Sequence, residues 1–142
     1  MGKDIETPLA ERFGSIKDPS VQQLTLYIPN KDRNGEIVKG LRKWSKKAQK
    51  VLTVIGGGST TMPPADGTWL DPEKKIKSID GLKDKDIVWE KTVLVCTYIN
   101  PDEFEKNIDI LRKFLHEFGK QTNQGEVVFE FDGRFFRIRE YD

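Results

Sequence analysis

The sequence predicts an α+β domain: a ferredoxin-like split β-α-β antiparallel sheet with two helices on one face and an extra C-terminal hairpin strand. Three observations lead there. Short apolar or alternating runs at Gln23–Ile28, Ile87–Ile99 and Val127–Glu140 have the character of strands. Apolar residues recur at three- and four-residue steps over Glu36–Ile55 and Asn100–Phe118, as on amphipathic helices. The two patterns follow one another as β-α-β-β-α-β, the order of the split βαβ fold.

Residues 1–20 carry scattered charge with Pro8, Gly14 and Pro19, and are expected to form a flexible N-terminal arm in which Leu9, Ala10 and Phe13 give one helical turn. Residues 21–142 then form a single domain. Leu24, Leu26 and Ile28 alternate with Thr25 and Tyr27, a half-buried strand that Pro29 ends because it has no N–H to donate. The polar run Asn30–Gly35 is a turn, with Asn34 or Gly35 as helix N-cap. Ile37, Leu41, Trp44, Ala48, Val51 and Ile55 make the apolar face of the first long helix, and Gly56 ends it as a C′ glycine. Lys39, Arg42, Lys43, Lys46, Lys47 and Lys50 lie off that face, where solvent suffices to explain them.

Gly56 to Trp69 is expected to be a glycine-rich crossover stiffened by Pro63-Pro64, with the second strand beginning near Thr68. Residues 71–86 form a charged insertion loop or hairpin tip turning at Asp80-Gly81. Thr92 to Ile99 is nearly continuous in β-branched and apolar residues, as in a central strand. Asn100-Pro101-Asp102-Glu103 starts the second helix with an N-cap, a proline at the first position and acids in the first turn. Phe104, Ile108, Leu111, Leu115 and Phe118 are its buried stripe, and Gly119 ends or interrupts it. Asp132-Gly133 joins the last two strands as a hairpin. Tyr27, Tyr98, Phe135 and the tryptophans are candidates for the sheet face that carries no helices, and an aromatic open face favours a ligand or a second subunit.

Composition narrows the function classes. With 24 basic and 23 acidic residues the net charge is +1, so DNA or RNA binding is not expected from overall charge and would need a local patch. The single cysteine excludes an internal disulfide and suits a reducing compartment. No apolar run approaches the ~20 residues of a membrane span. A cytoplasmic protein is expected. His116 reads as a boundary residue and Cys96 as core. His and Cys are too few for zinc, and no P-loop, dinucleotide fingerprint or nucleophile elbow occurs. No catalytic residue, metal or cofactor is therefore assigned.

The binding chemistry is better supplied. Gly57 and Gly58 let main-chain N–H groups converge on an anion, and Ser59, Thr60 and Thr61 add hydroxyls. Tyr27, Trp69 and Tyr98 can stack a base, and Arg33, Lys91, Arg134 and Arg137 can meet a phosphate. The same residues also admit a purely structural reading, in which the glycines cap a helix and the tryptophans are core.

Tyr27-Ile28-Pro29, then Asp32-Arg33-Asn34-Gly35, a helical Trp, Gly-Gly-x-Ser/Thr-x-x-x-Pro-Pro and Gly67-x-Trp69 together resemble a family of small uncharacterised bacterial and phage proteins. More distantly the pattern is similar to the DUF3574 domains. The resemblance runs from Leu24 to Phe136 and implies the fold, not a reaction. Members tend to carry arginines on either side of Gly-x-Trp, where this chain has Asp66 and Leu70. The expected function is non-enzymatic binding of a small anionic, nucleotide-like ligand by a homodimer or higher homo-oligomer, one form being a phage sponge that sequesters a host nucleotide immune signal. The alternatives are a dimeric ferredoxin-like isomerase, lyase or oxygenase using a sheet-face pocket, and a protein-binding inhibitor or adaptor.

Overall fold

The computed structural model describes residues 2–15, 22–70 and 78–142. Helix α1 spans Gly2–Phe13, β1 Gln22–Pro29, α2 Leu41–Gly56, β2 Thr60–Leu70, β3 Ile87–Ile99, α3 Pro101–Lys106, α4 Ile108–Gln121, β4 Val127–Phe131 and β5 Arg134–Ile138. The strands form one antiparallel sheet in the order β2-β3-β1-β4-β5. Its first four members have the ferredoxin-like arrangement, and β5 adds to the β4 edge as the extra hairpin strand.

Strand alternation sets the two faces. Leu24, Leu26 and Ile28 of β1 and Val93, Val95 and Ile99 of β3 turn to the helices. There they meet Ala48, Leu52 and Ile55 of α2 and Leu111, Phe114, Leu115 and Phe118 of α4. Trp44 closes this core against Phe118, with ring centroids 5.4 Å apart at 73°, so it is a packing residue and not part of the open face. Phe104 and Phe131 stack at 4.0 Å and tie α3 to β4.

Several boundaries differ from those read in the sequence. The first long helix starts at Leu41, not Glu36, and its N-cap is Gly40 in the left-handed region. Asp32 accepts hydrogen bonds from the N–H groups of Asn34 at 2.7 Å and Glu36 at 3.0 Å, while Val38 N–H bonds Asn30 O at 2.8 Å. These bonds hold 30–40 as a compact turn, bury Val38 and leave Ile37 exposed. Gly56 is the last helical residue, and the left-handed C-terminal glycine is Gly57, at φ 85°. A side chain on Gly56 would run into Thr97, so this glycine is required by close approach to β3.

The stretch expected as a glycine-rich loop is mostly edge strand. Thr60 already pairs with Cys96, and β2 follows β3 to Leu70↔Ile87, with one irregularity between Met62 and Ala65. Pro63 and Pro64 occupy that bulge on an edge, the place in a sheet where missing N–H groups are tolerated. The β2–β3 connection holds 3₁₀ turns at Ile79–Gly81 and Asp84–Asp86, so Asp80-Gly81 does sit in a turn, while 71–77 lie outside the described residues. The second helix starts after Asn100 as expected but breaks at Asn107 into α3 and α4, leaving Ile108 exposed. It continues through Gly119 to Gln121.

Candidate functional site

The sheet face away from the helices is built by alternation. From β1 it receives Gln23, Thr25 and Tyr27. Their cross-strand partners on β3, Tyr98, Cys96 and Leu94, stand beside them, followed by Thr92 and Glu90. From β2 come Thr60, Met62, Ala65, Gly67 and Trp69, opposite Cys96, Leu94, Thr92, Glu90 and Val88. From β4 and β5 come Glu130, Phe135 and Arg137. Met62, Trp69, Val88, Tyr98 and Phe135 remain exposed, so the face is aromatic and apolar with a few charges.

Two carboxylates distinguish it. Glu90 accepts a hydrogen bond from the Trp69 indole N–H. Gly67, directly opposite, makes this possible: a Cβ there would stand 3.2 Å from Glu90 Cγ and 3.0 Å from Thr92 Oγ1. The Gly67-x-Trp69 spacing thus lays the Glu90 chain flat along the sheet and into reach of the indole. Burial raises the Glu90 carboxyl above the ordinary carboxylate value. The Trp69 hydrogen bond and the Lys31 charge oppose the rise but do not cancel it. At the other side, Tyr27 O–H donates to Glu130 Oε2 at 3.3 Å and its ring meets Phe135 edge-on at 5.8 Å. Burial, then the Glu130 charge and hydrogen bond, push the Tyr27 hydroxyl above its usual range. Arg137 lies over the Phe135 ring at 5.6 Å.

Of the residues singled out in the sequence, Tyr27, Thr60, Trp69, Tyr98 and Arg137 share this face. The others do not join them. Thr61 and Lys91 point to the helix side of the sheet, where Lys91 pairs with Asp66. Arg134 alternates away from Phe135. Arg33 is held far from the face by its guanidinium bond to Gln124 O at 2.9 Å. Gly57, Gly58 and Ser59 sit at the C-terminal end of α2. Gly57 N–H bonds Thr53 O at 2.8 Å, Thr97 Oγ1 donates to Gly58 O at 2.5 Å, and Ser59 Oγ lies 3.3 Å from both Thr53 Oγ1 and Gln49 O. These groups serve the cap, at the end of a helix whose dipole is unfavourable to an anion. Trp89 alternates opposite Glu90 and donates its indole N–H to Asp84 O at 3.1 Å.

Glu90 and Glu130 were missed because each reads as an ordinary polar residue in a strand. The available signal was positional: Glu90 falls on the same alternation phase as Leu94 and Tyr98, the phase assigned to the open face. Among the described residues no group of three or more His, Cys, Asp or Glu could hold a metal ion. No described helix is long and apolar enough to cross a membrane.

No family model and no curated protein matches the chain. Solved structures do. A phage SAM lyase in its apo state aligns with a TM-score of 0.53 at 10% identity, covering 84% of this chain and 89% of that one. A phage SAM lyase in complex with S-methyl-5′-thioadenosine aligns with a TM-score of 0.52 at 10% identity, covering 87% and 92%. At this identity the likeness is one of fold.

Proposed function

We propose that this chain binds a small nucleoside-type ligand on the open face of its sheet, with Trp69 and Glu90 at the centre of the site. The observation that carries the reading is the half-buried Glu90 carboxylate held against an indole on a face that also exposes Met62, Tyr98 and Phe135. Such a face offers stacking to a base, and the carboxylate beside it favours a neutral or cationic group over an anion. The cations expected to grip a phosphate mostly lie elsewhere, which moves the preferred ligand from a nucleotide toward a nucleoside or a sulfonium nucleoside. The fold shared with a protein solved with S-methyl-5′-thioadenosine supports the same ligand class.

A second reading is cleavage of the bound ligand, as the lyase names of both structural neighbours suggest. In S-adenosylmethionine the bond from sulfur to the amino-acid chain would break with its electron pair moving to sulfur, leaving neutral S-methyl-5′-thioadenosine, while the substrate's own carboxylate oxygen bonds to the departing carbon and closes a lactone. Glu90 and the aromatic face would hold the positive sulfur before that step. Sequestration without chemistry, the sponge form, would use the same residues and leave the ligand intact.

Calorimetry and thermal shift with S-adenosylmethionine, S-methyl-5′-thioadenosine, ATP and a cyclic dinucleotide test the binding. The adenosyl compounds should bind, and Trp69→Ala or Glu90→Gln should weaken S-adenosylmethionine at least about tenfold, or ~1.4 kcal/mol. Mass analysis of the recovered ligand separates sequestration from cleavage. Absence of any shift with the panel would overturn the reading.

A further inference from the structure

Charge is unevenly spread over the helix layer. Six of the 24 basic residues, Lys39, Arg42, Lys43, Lys46, Lys47 and Lys50, fall between Glu36 and Asp66, and no acid falls between those two. Without these six, the chain's net charge of +1 becomes −5. All six are exposed. Ala48, Leu52 and Ile55 turn the opposite side of α2 into the core. At about 100° per residue, Lys43, Lys46 and Lys50 therefore form the outermost ridge of the helix, with Arg42 and Lys47 on its flanks. Among the described residues only Lys47 of the six is ion-paired, with Glu117 at 2.9 Å.

Helix stability does not explain this placement. The first turn of α2 holds Arg42 and Lys43 but no acid, and the last turn holds no base, the reverse of what the helix dipole favours. Arg42–Lys46, Lys43–Lys47 and Lys46–Lys50 are like charges four residues apart, and each such pair destabilises a helix. A face that costs its own helix stability and stays unpaired is fitted to an anion from outside. Its chemistry narrows that anion. From Arg42 to Lys50 the helix rises about 12 Å and carries five cations. Duplex nucleic acid carries one phosphate charge per about 1.7 Å of axis, a comparable density. Four of the five are lysines, point charges without the planar fork that reads a guanine edge. Trp44 is packed into the core, so the face has no platform on which unpaired bases could stack. Between Arg42 and Lys50 the exposed side chains are all cationic, so nothing apolar is offered to a bilayer.

We propose that the outer face of α2 binds the phosphate backbone of a nucleic acid duplex without reading its sequence. This surface is separate from the Trp69–Glu90 face and does not depend on the nucleoside reading. Fluorescence anisotropy with a labelled duplex of about 20 base pairs, as DNA and as RNA, tests it on the full chain. Affinity should fall about a hundredfold between about 50 and 200 mM NaCl, the dependence expected of about four phosphate contacts. Lys43→Gln/Lys46→Gln/Lys50→Gln should weaken binding at least about tenfold at the lower salt and reduce the salt slope by nearly three, while melting no lower than the parent. Lys83→Gln/Lys85→Gln/Arg134→Gln removes the same net charge elsewhere and should bind within about threefold of the parent. Binding of either duplex with these dependences supports the proposal, and the tighter of the two identifies the source. The proposal is overturned if neither duplex binds at about 50 mM NaCl, or if the two triple variants weaken binding equally. It is equally overturned if a single strand of the same length, a phosphatidylserine vesicle or poly-glutamate binds as tightly as the duplex. The salt slope and these competitors use the unmodified chain, so they decide the question even where a variant does not fold.

Discussion

Trp69 donates its indole N–H to Glu90 across the β2–β3 ladder, and Gly67 opposite Glu90 removes the side chain that would keep them apart. The consequence for Glu90 is a carboxyl whose proton is held more firmly in the folded chain than in the unfolded one. A raised acid destabilises the fold once it ionises: stability is lost as pH rises from the ordinary value of 4.5 through the folded value, and regained below it. Glu90→Gln keeps an oxygen to accept the indole bond and removes the charge. At about pH 8 it should melt ~2 °C or more above the parent, and at about pH 4 the difference should vanish. Equal melting at both pH values, by calorimetry, would show that desolvation of Glu90 is unimportant. A variant that melts higher but binds S-adenosylmethionine less well would have the stability–function opposition expected of a site residue.

At the scale of elements, α4 shows what an interior glycine can do. A Cβ at Gly119 would overlap the ring of Tyr141, whose hydroxyl donates to Gln124 O at 3.1 Å. Gly119 therefore continues the helix so that the C-terminal segment can lie against it. Gly119→Ala gains helix propensity but displaces the ring, and should lower unfolding stability by about 1–3 kcal/mol in denaturant titrations. Combined with Tyr141→Ala, the further loss should be smaller than the sum of the two, because the clash is then absent. Strict additivity would separate the two residues energetically. In β2 the Pro63-Pro64 pair has a comparable structural role: it interrupts an edge that would otherwise offer a continuous row of N–H groups to another chain.

Over the whole molecule, the order β2-β3-β1-β4-β5 places β1 and β3 at the centre. Leu24, Leu26, Ile28 and Val95 are fully buried, whereas β2 is exposed along nearly all its length and β5 has one free edge. Amide exchange should therefore be slowest in 24–28 and 93–97, and fastest among the strands in β5 and in β2 near the bulge. Uniform protection across the sheet, measured by mass spectrometry, would contradict this ranking. Adenosyl ligands that occupy the open face should slow exchange in 67–69 and 88–92 more than in β4.

The sequence by itself determined the fold class, the phases of β1, β4 and β5, and the caps whose chemistry is local. Leu24–Leu26–Ile28, the Asn100-Pro101 helix start and the Asp132-Gly133 hairpin each follow from neighbouring residues alone. The start of α2 did not, because Asn30 and Asp32 hold Val38 and Glu36 in a turn whose bonds no periodicity reports. Pro63-Pro64 pointed to a loop, but pairing with β3 overrode that local preference on both sides of the bulge. The candidate site depended on tertiary structure for the same reason. Tyr27, Trp69 and Tyr98 were legible as aromatics on alternating strands, but the ladder decided that Glu90 joins them while Arg33, Lys91 and Arg134 do not. Strand pairing assigns each residue a face and a neighbour, and Glu90 differs from the many other carboxylates of this chain only in what it was folded against.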